Sequence, residues 1–307
     1  MNMEKIEQAF GLVTANIEAI QEKLDTDFYD AFVEQNAQFL DEENLTGNNR
    51  ELHKLSLTKN EWQKLFQFVL LKGSQVAPLQ PNHAFTPDSI AVIFQFMIEC
   101  LTEKPLIRLL EFGSGTGNLA EILLTNLSKK VDYVGFEVDD LLLDLAASMA
   151  EIIGTAPVFM QADAVQARLV APVDVVVSDL PIGFYPDDVL AKNFAVVNPE
   201  GHTFAHHLLI EQAFKYLKAD GFAIFLAPDD LLTSSQAPLL KNWLKQEARV
   251  SAVITLPEKL FKHDAKAIYV LSKGKSEQPT FVYPLTSLSD REILQEFMSE
   301  FKENCVL

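Results

Sequence analysis

Apolar residues recur every three or four positions through IEQAFGLVTANIEAIQEKL (6–24) and EWQKLFQFVLLK (61–72), with acids and amides between them. That spacing predicts amphipathic helices over the first 72 residues. The segment GSQVAPLQPNHAFTP (73–87) then brings glycine, prolines and polar residues together, the composition of a connector. Beyond it the period changes. Short runs rich in β-branched and aromatic residues, LIRLLEF (106–112), VDYVGFE (131–137), PVFMQ (157–161), VDVVVSD (173–179), GFAIFLAP (221–228), VSAVITLP (250–257) and AIYVLSK (267–273), read as strands. Helical stretches such as NLAEILLTNL (118–127), DDLLLDLAASMAEII (139–153) and FAHHLLIEQAFKYLK (204–218) separate them. Alternation of this kind predicts an α/β fold, a mostly parallel sheet with helices on both faces, preceded by a small helical domain. The expected boundaries are 1–80 for the helical part and 81–307 for the α/β part.

Composition narrows the class. The chain has 307 residues, 48% of them hydrophobic, and a mean hydropathy of +0.08, enough for a sizeable core in one large domain or two smaller ones. Polar residues interrupt every apolar stretch well short of a membrane span, and MNMEKIEQAF lacks the basic start and apolar block of a secretory signal. A cytoplasmic location is expected. Two distant cysteines, Cys100 and Cys305, and six scattered histidines form no ligand spacing, so no metal is expected and both thiols should stay reduced. The net charge of -18 opposes non-specific attachment to phosphate backbones. A nucleic-acid partner would therefore need a local basic face. The candidate is 259–275, with Lys259, Lys262, Lys266, Lys273 and Lys275, a cluster that also reads as an ordinary solvated lysine surface.

In a sheet of this type ligands bind beyond the carboxyl ends of the strands, and the chemistry-bearing residues fall there. LLEFGSGTGNLA ends its strand at Glu111 and places Gly113, Gly115 and Gly117 before a helix. Glycine lets the backbone turn tightly and approach a ligand closely. The next strand ends at Glu137, where an acid accepts from ribose hydroxyls. The pair of features points to a nucleoside cofactor. Asn118 occupies the position where the dinucleotide fingerprint requires glycine, which argues against NAD.

The pattern E-x-G-x-G-x-G, from Glu111 to Gly117, resembles the first motif of class I S-adenosylmethionine-dependent methyltransferases. Asp163, in FMQADAV after the third strand, stands where that family binds the adenine amino group of the cofactor. The loop DLPIG after the fourth strand is similar to the (Asn/Asp/Ser)-Pro-Pro-aromatic loop of nucleobase amino-methyltransferases: Asp179, Pro181 and Gly183 match, while Leu180 and Ile182 depart from it. HAFTPDSIAVI resembles the Thr-Pro segment that covers the cofactor in adenine-specific DNA methyltransferases, and the later sequence resembles the methylation subunits of type I restriction-modification systems. The resemblance covers roughly residues 80 to 275. It implies a Rossmann-like class I methyltransferase sheet and S-adenosylmethionine as cofactor. The implied cofactor set is Phe85, Thr86, Glu111, Gly113, Ser114, Gly115, Gly117, Asn118, Glu137, Val138, Asp163, Ala164, Asp179 and Pro181. The implied catalytic set is Asp179, Leu180, Pro181, Phe184 and Tyr185.

The loop's chemistry also follows from its residues. An exocyclic adenine amine is a poor nucleophile because its lone pair is delocalised into the ring. The Asp179 carboxylate and the Leu180 carbonyl are placed to accept from that amine and favour the pyramidal nitrogen that attacks a sulfonium methyl. Ile182 cannot stack on a base as an aromatic would, which leaves Phe184 or Tyr185 for that role. His206 and His207, on an apolar helix, read as packing or surface residues. Three functions fit: methylation of adenine in DNA, alone or with a separate specificity protein; methylation of RNA or protein; and non-catalytic binding of S-adenosylmethionine.

Overall fold

The computed structural model describes residues 1–78, 86–261, 265–274 and 278–305. Four helices open the chain, α1 (Met3–Leu24), α2 (Phe28–Leu40), α3 (Gly47–Lys54) and α4 (Lys59–Val76), followed by α5 (Asp88–Leu101). Then come β1 (Leu106–Phe112), α6 (Asn118–Asn126), β2 (Lys130–Glu137), α7 (Asp140–Ile153), β3 (Val158–Gln161), β4 (Val173–Asp179), α8 (Asp188–Ala191), α9 (Ala205–Tyr216), β5 (Leu217–Pro228), α10 (Ala237–Glu247) and β6 (Ala248–Thr255). β7 (Lys266–Lys273), β8 (Phe281–Pro284) and α11 (Arg291–Cys305) complete it.

Local chemistry sets the helix ends. Thr58 and Glu61 form a reciprocal capping box that starts α4, and the Asp139 side chain accepts from the Leu142 amide to start α7. Gly154 stops α7 in the left-handed region at φ 73°, where a Cβ would be strained.

The eight strands form one sheet in the order β3-β2-β1-β4-β5-β7-β6-β8. β1 runs parallel to β2 and β4, and β4 parallel to β5, as the alternating pattern predicts. β7 departs from that pattern. It lies between β5 and β6 and is antiparallel to both, while β8 adds parallel to β6. β6 ends at Thr255 and β7 begins at Lys266, a separation short enough for an antiparallel return, whereas a parallel pair needs a crossover of a dozen or more residues.

The chain divides into two compact units. The first comprises 1–91, 114–126 and 137–161; the second comprises 92–113, 127–136 and 162–307. In the first, Ile6, Val13 and Ile17 of α1, Phe28 and Phe32 of α2, and Leu65, Phe66 and Val69 of α4 share one core with Leu142, Leu145, Met149 and Ile153 of α7. In the second, the core gathers strand residues such as Leu110, Phe112, Phe136, Val176, Ala223 and Phe225 with Leu208, Ile210 and Phe214 of α9. α11 seals part of the same unit: Phe297 and Phe301 are fully buried and meet Phe96 of α5 at ring separations of 6.0 and 5.7 Å.

Candidate active site

The first unit carries most of the glycine-loop residues. The backbone has positive φ at Gly115 (53°) and Gly117 (78°), and at Gly113 (67°), which closes β1 in the second unit. A Cβ added at Gly113 or Gly115 would meet nothing within 4 Å, so the loop presents open backbone on that side. At Gly117 a Cβ would stand 3.1 Å from the Ala146 Cβ and 3.3 Å from the Phe159 ring, so only glycine lets the loop approach α7 this closely. Ser114 Oγ and Thr116 Oγ1 are buried without a hydrogen-bond partner. Orphaned hydroxyls on a loop of open backbone fit a polar ligand laid along it.

Glu137 ends β2 with its carboxylate almost wholly buried. Oε2 accepts from the Gly115 amide at 2.8 Å, and Oε1 from the Val138 and Asp139 amides at 2.7 and 3.0 Å. The acid is thus tied to the glycine loop by its own hydrogen bonds, and Val138 beside it is exposed. Asn118, the first residue of α6, donates to the Thr86 carbonyl at 2.7 Å and accepts from Gln67 Nε2 at 3.1 Å. Gln67 of α4 also donates to Asp88 Oδ1 at 2.6 Å. Thr86 and Asn118, drawn from separate motifs, therefore meet through one polar network anchored on α4. Phe85 lies outside the described residues.

The second unit carries the Asp-Leu-Pro loop that follows β4. β4 is buried along almost its whole length and delivers Ser178 and Asp179 to its carboxyl end. The Ser178 hydroxyl donates to the Phe112 carbonyl at 2.7 Å, and the Leu180 amide to the Leu226 carbonyl at 2.9 Å, which fixes the backbone on both sides of Asp179. Gly183, at φ 136°, lets the chain turn back so that Tyr185 N donates to Thr203 O at 2.8 Å and Ala205 N to Gly183 O at 2.9 Å. This small bridge seats Phe184 on Phe204, with ring centroids 5.0 Å apart and planes 6° from parallel. Phe204 stacks in turn on His206 at 5.0 Å and 17°. Phe184 is 59% exposed and tops this stack of three rings.

Tyr185 has a different environment. It is buried, its hydroxyl donates to Asp163 Oδ2, and burial together with the Asp163 carboxylate raises its phenol well above the ordinary range. Asp163 Oδ1 accepts from the Val165 amide at 2.9 Å, and Ala164 between them is buried. Of the two aromatics expected to offer a stacking surface, the exposed one is Phe184; Tyr185 is turned onto Asp163. Glu111 is buried and accepts from the Tyr133 hydroxyl.

Lys266, one member of the lysine cluster in sequence, has a specific partner. Its ammonium pairs with Asp179 Oδ1, both side chains being 18% exposed. Strand register explains the meeting across 87 residues: Asp179 pairs with Leu226 on β5, Leu226 with Ile268 on β7, and Lys266 opposite Pro228 brings antiparallel β7 to the same sheet edge. Lys273 donates to the Phe214 and Leu217 carbonyls at 2.9 and 2.7 Å. The expected basic face at 259–275 thus loses Lys266 and Lys273 to internal partners, because strand positions turn them toward the protein. Lys259 sits in a short 3-10 turn, and Lys262 and Lys275 lie outside the described residues.

His206 and His207 are buried, as expected for packing residues, and burial lowers their pKa values to about 4 and about 3. The Pro181 backbone acts on His206 in the opposite direction to burial, which places this ring beside the loop that follows β4, a neighbourhood its sequence position does not signal. Among the described residues no group of three or more His, Cys, Asp or Glu could hold a metal ion, and no helix is long and apolar enough to cross a membrane.

Residues 63–300 match the family model described as N-6 DNA Methylase. The chain is 32% identical over 254 residues to the uncharacterized protein YtxK of Bacillus subtilis, covering 80% of this chain and 77% of that one. A crystal structure from Listeria monocytogenes, assigned to the class I S-adenosylmethionine-dependent methyltransferases, superposes with a TM-score of 0.88 at 31% identity, covering 98% of this chain and 99% of the other. The methyltransferase subunit of a type I restriction-modification system from Streptococcus thermophilus shares the fold at 13% identity, with a TM-score of 0.67 and coverage of 95% and 74%.

Proposed function

Because this chain belongs to the N-6 DNA methylase family, we propose that it transfers the methyl group of S-adenosylmethionine to the exocyclic amine of adenine in DNA. By family and fold together the protein is an S-adenosylmethionine-dependent methyltransferase. The open glycine loop and the orphaned Ser114 and Thr116 hydroxyls fit that cofactor, which supplies an electrophilic methyl on a sulfonium. Gly113 and Gly115 would take its polar end against bare backbone, with Gly117 seating the loop on α7. Glu137 would exchange backbone donors for ribose hydroxyls, and Asp163 would accept from the adenine amine.

The observation that carries the acceptor assignment is the loop at 178–185, which holds both a fixed acid at a strand end and, five residues on, an exposed, preformed aromatic surface. Asp179 and the Leu180 carbonyl accept from a primary amine, and the lone pair is thereby directed away from the ring to which it is conjugated. Phe184, already stacked on Phe204, offers the flat face that Ile182 does not, and stacking of a base on an aromatic is worth about 1 to 3 kcal/mol. Residues 1–80 serve as a helical domain that supports the cofactor loop through Gln67. The restriction-modification subunits that share the fold support a separate protein as the source of sequence recognition.

Transfer of labelled methyl to DNA, RNA and protein, measured in parallel with purified protein, tests the proposal. Label on adenine of DNA is expected. Asp179→Ala should abolish that transfer while S-adenosylmethionine still binds by calorimetry, because the loss falls on the reacting geometry. A wild-type rate in Asp179→Ala rejects the catalytic role. Label on RNA or protein alone moves the substrate class, and no label on any of the three supports the non-catalytic binder that Ile182 and the net charge of -18 suggest.

A further inference from the structure

We propose that Lys266 and Asp179 act as a pair that reads a donor-acceptor edge, the carboxylate taking an N–H of the acceptor amine and the ammonium donating to the ring nitrogen beside it. This rests on the proposed transfer to adenine, whose Watson–Crick edge carries N6–H next to N1. Three observations support the pair. Lys266 donates directly to Asp179 Oδ1, so an ammonium and a carboxylate already stand side by side at the strand-end edge. Both side chains retain 18% exposure, so they are shielded from bulk water yet reachable. The pair is also held at both ends. The Leu180 amide bonds to Leu226, Lys266 lies opposite Pro228, and the Tyr269 hydroxyl donates to the Pro228 and Asp229 carbonyls at 3.2 and 2.9 Å.

The chemistry of the pair selects among amines. A group with a donor beside an acceptor can be laid against it with neither charge left without a partner, and the purine ring of adenine satisfies both. An aliphatic ammonium would place two cations on one carboxylate, which like-charge repulsion in a partly dry site disfavours. Guanine presents N1–H beside its amine on the Watson–Crick edge, a second donor aimed at Lys266, and is disfavoured for the same reason. Cytosine and a glutamine amide carry the required edge; the exposed Phe184 of the same loop favours a ring over an amide. Lys266 is therefore a specificity-determining residue that the acid-proline loop, taken alone, does not contain.

The test compares wild type, Lys266→Met and Lys266→Arg for methyl transfer to an oligonucleotide carrying adenine and to one carrying 1-deazaadenine, in which C–H replaces N1. Circular dichroism and cofactor calorimetry serve as controls for folding. Lys266→Met should lower kcat/KM on adenine about tenfold or more, chiefly through KM, and Lys266→Arg should recover most of it. Wild type on 1-deazaadenine should fall to the level of Lys266→Met, and Lys266→Met should lose nothing further, because both changes remove the same contact. Additive losses, or full activity in Lys266→Met, overturn the pair while leaving adenine methylation intact. Glutamine- and lysine-containing peptides complete the set. Methylation of glutamine that is lost in Lys266→Met keeps the pair and refutes the DNA reading. Methylation of lysine, or of no acceptor bearing the donor-acceptor edge, overturns the pair.

Discussion

Glu137 is a carboxylate with three backbone donors and almost no exposure, so its removal acts on the loop and, in the proposed role, on the ligand. Hydrogen bonds to a charged group contribute about 1.5 to 3 kcal/mol. Glu137→Ala should weaken S-adenosylmethionine binding about tenfold or more by calorimetry, with the far-ultraviolet circular dichroism of the wild type. Unchanged affinity would refute its role toward the ribose. Glu121 is the opposite kind of acid. It is buried on α6, hydrogen-bonded by the Thr155 hydroxyl, and burial pushes its pKa up to about 7. A carboxyl raised in the folded state favours protonation there, so its contribution to stability is full below the unfolded value near 4.3 and is lost as pH rises through about 7. That loss is on the order of 3 kcal/mol. Glu121→Gln should therefore raise the melting temperature at pH 8, change it little at pH 4, and flatten the profile between them. Equal shifts at both pH values would refute the burial argument.

At the scale of elements, α4 and α11 do work that neither the glycine motif nor the acceptor loop could supply. Gln63 and Gln67 of α4 reach α6 directly: Gln63 Nε2 donates to the Glu121 carbonyl at 2.6 Å and to Thr125 Oγ1 at 2.9 Å, and Gln67 holds Asn118. The helical region thus supports the start of the helix that follows the glycines. α11 holds β8 and α5 through rings, Phe297 meeting Tyr283 at 5.3 Å and Phe96 at 6.0 Å. Phe297 is fully buried, so Phe297→Ala removes a large apolar side chain and leaves a cavity. The expected cost is about 3 to 5 kcal/mol in denaturant unfolding, and clearly less for Phe297→Leu, which keeps more of the buried volume. Similar midpoints for the two variants would show that α11 is peripheral to the fold.

For the whole molecule, charge governs how DNA could be approached. The net charge is -18, and two lysines of the anticipated basic face are turned to internal partners. The protein by itself should bind mixed-sequence DNA more weakly than about 10⁻⁶ M at physiological salt, the affinity falling further as salt rises. Fluorescence anisotropy across a salt series measures this. Tight, salt-insensitive binding by the chain alone would argue against a separate recognition partner.

Features set by local physics were legible in the amino-acid order. Strand runs at 106–112 and 173–179 coincide with β1 and β4, because a buried parallel strand must be apolar on both faces. The glycine loop and the acid ending the next strand were likewise visible, since positive φ and strand-end position each have a short sequence signature. Other features are products of packing. The short strand β8 and the helix α11 carry no motif, and their identity comes from Phe297 and Phe301 burying against Phe96. The division of labour between Phe184 and Tyr185 depended on which ring found Phe204 and which found Asp163. Lys266 reached Asp179 only because β7 enters antiparallel between β5 and β6, which brings the start of a late strand to the carboxyl end of an earlier one. Sequence alone determined seven of the eight strands, the glycine turns and the residue types at those strand ends, since these depend on neighbours a few positions away. The sheet order decided which of those ends face one another, since that depends on pairings between segments tens of residues apart that no local period encodes.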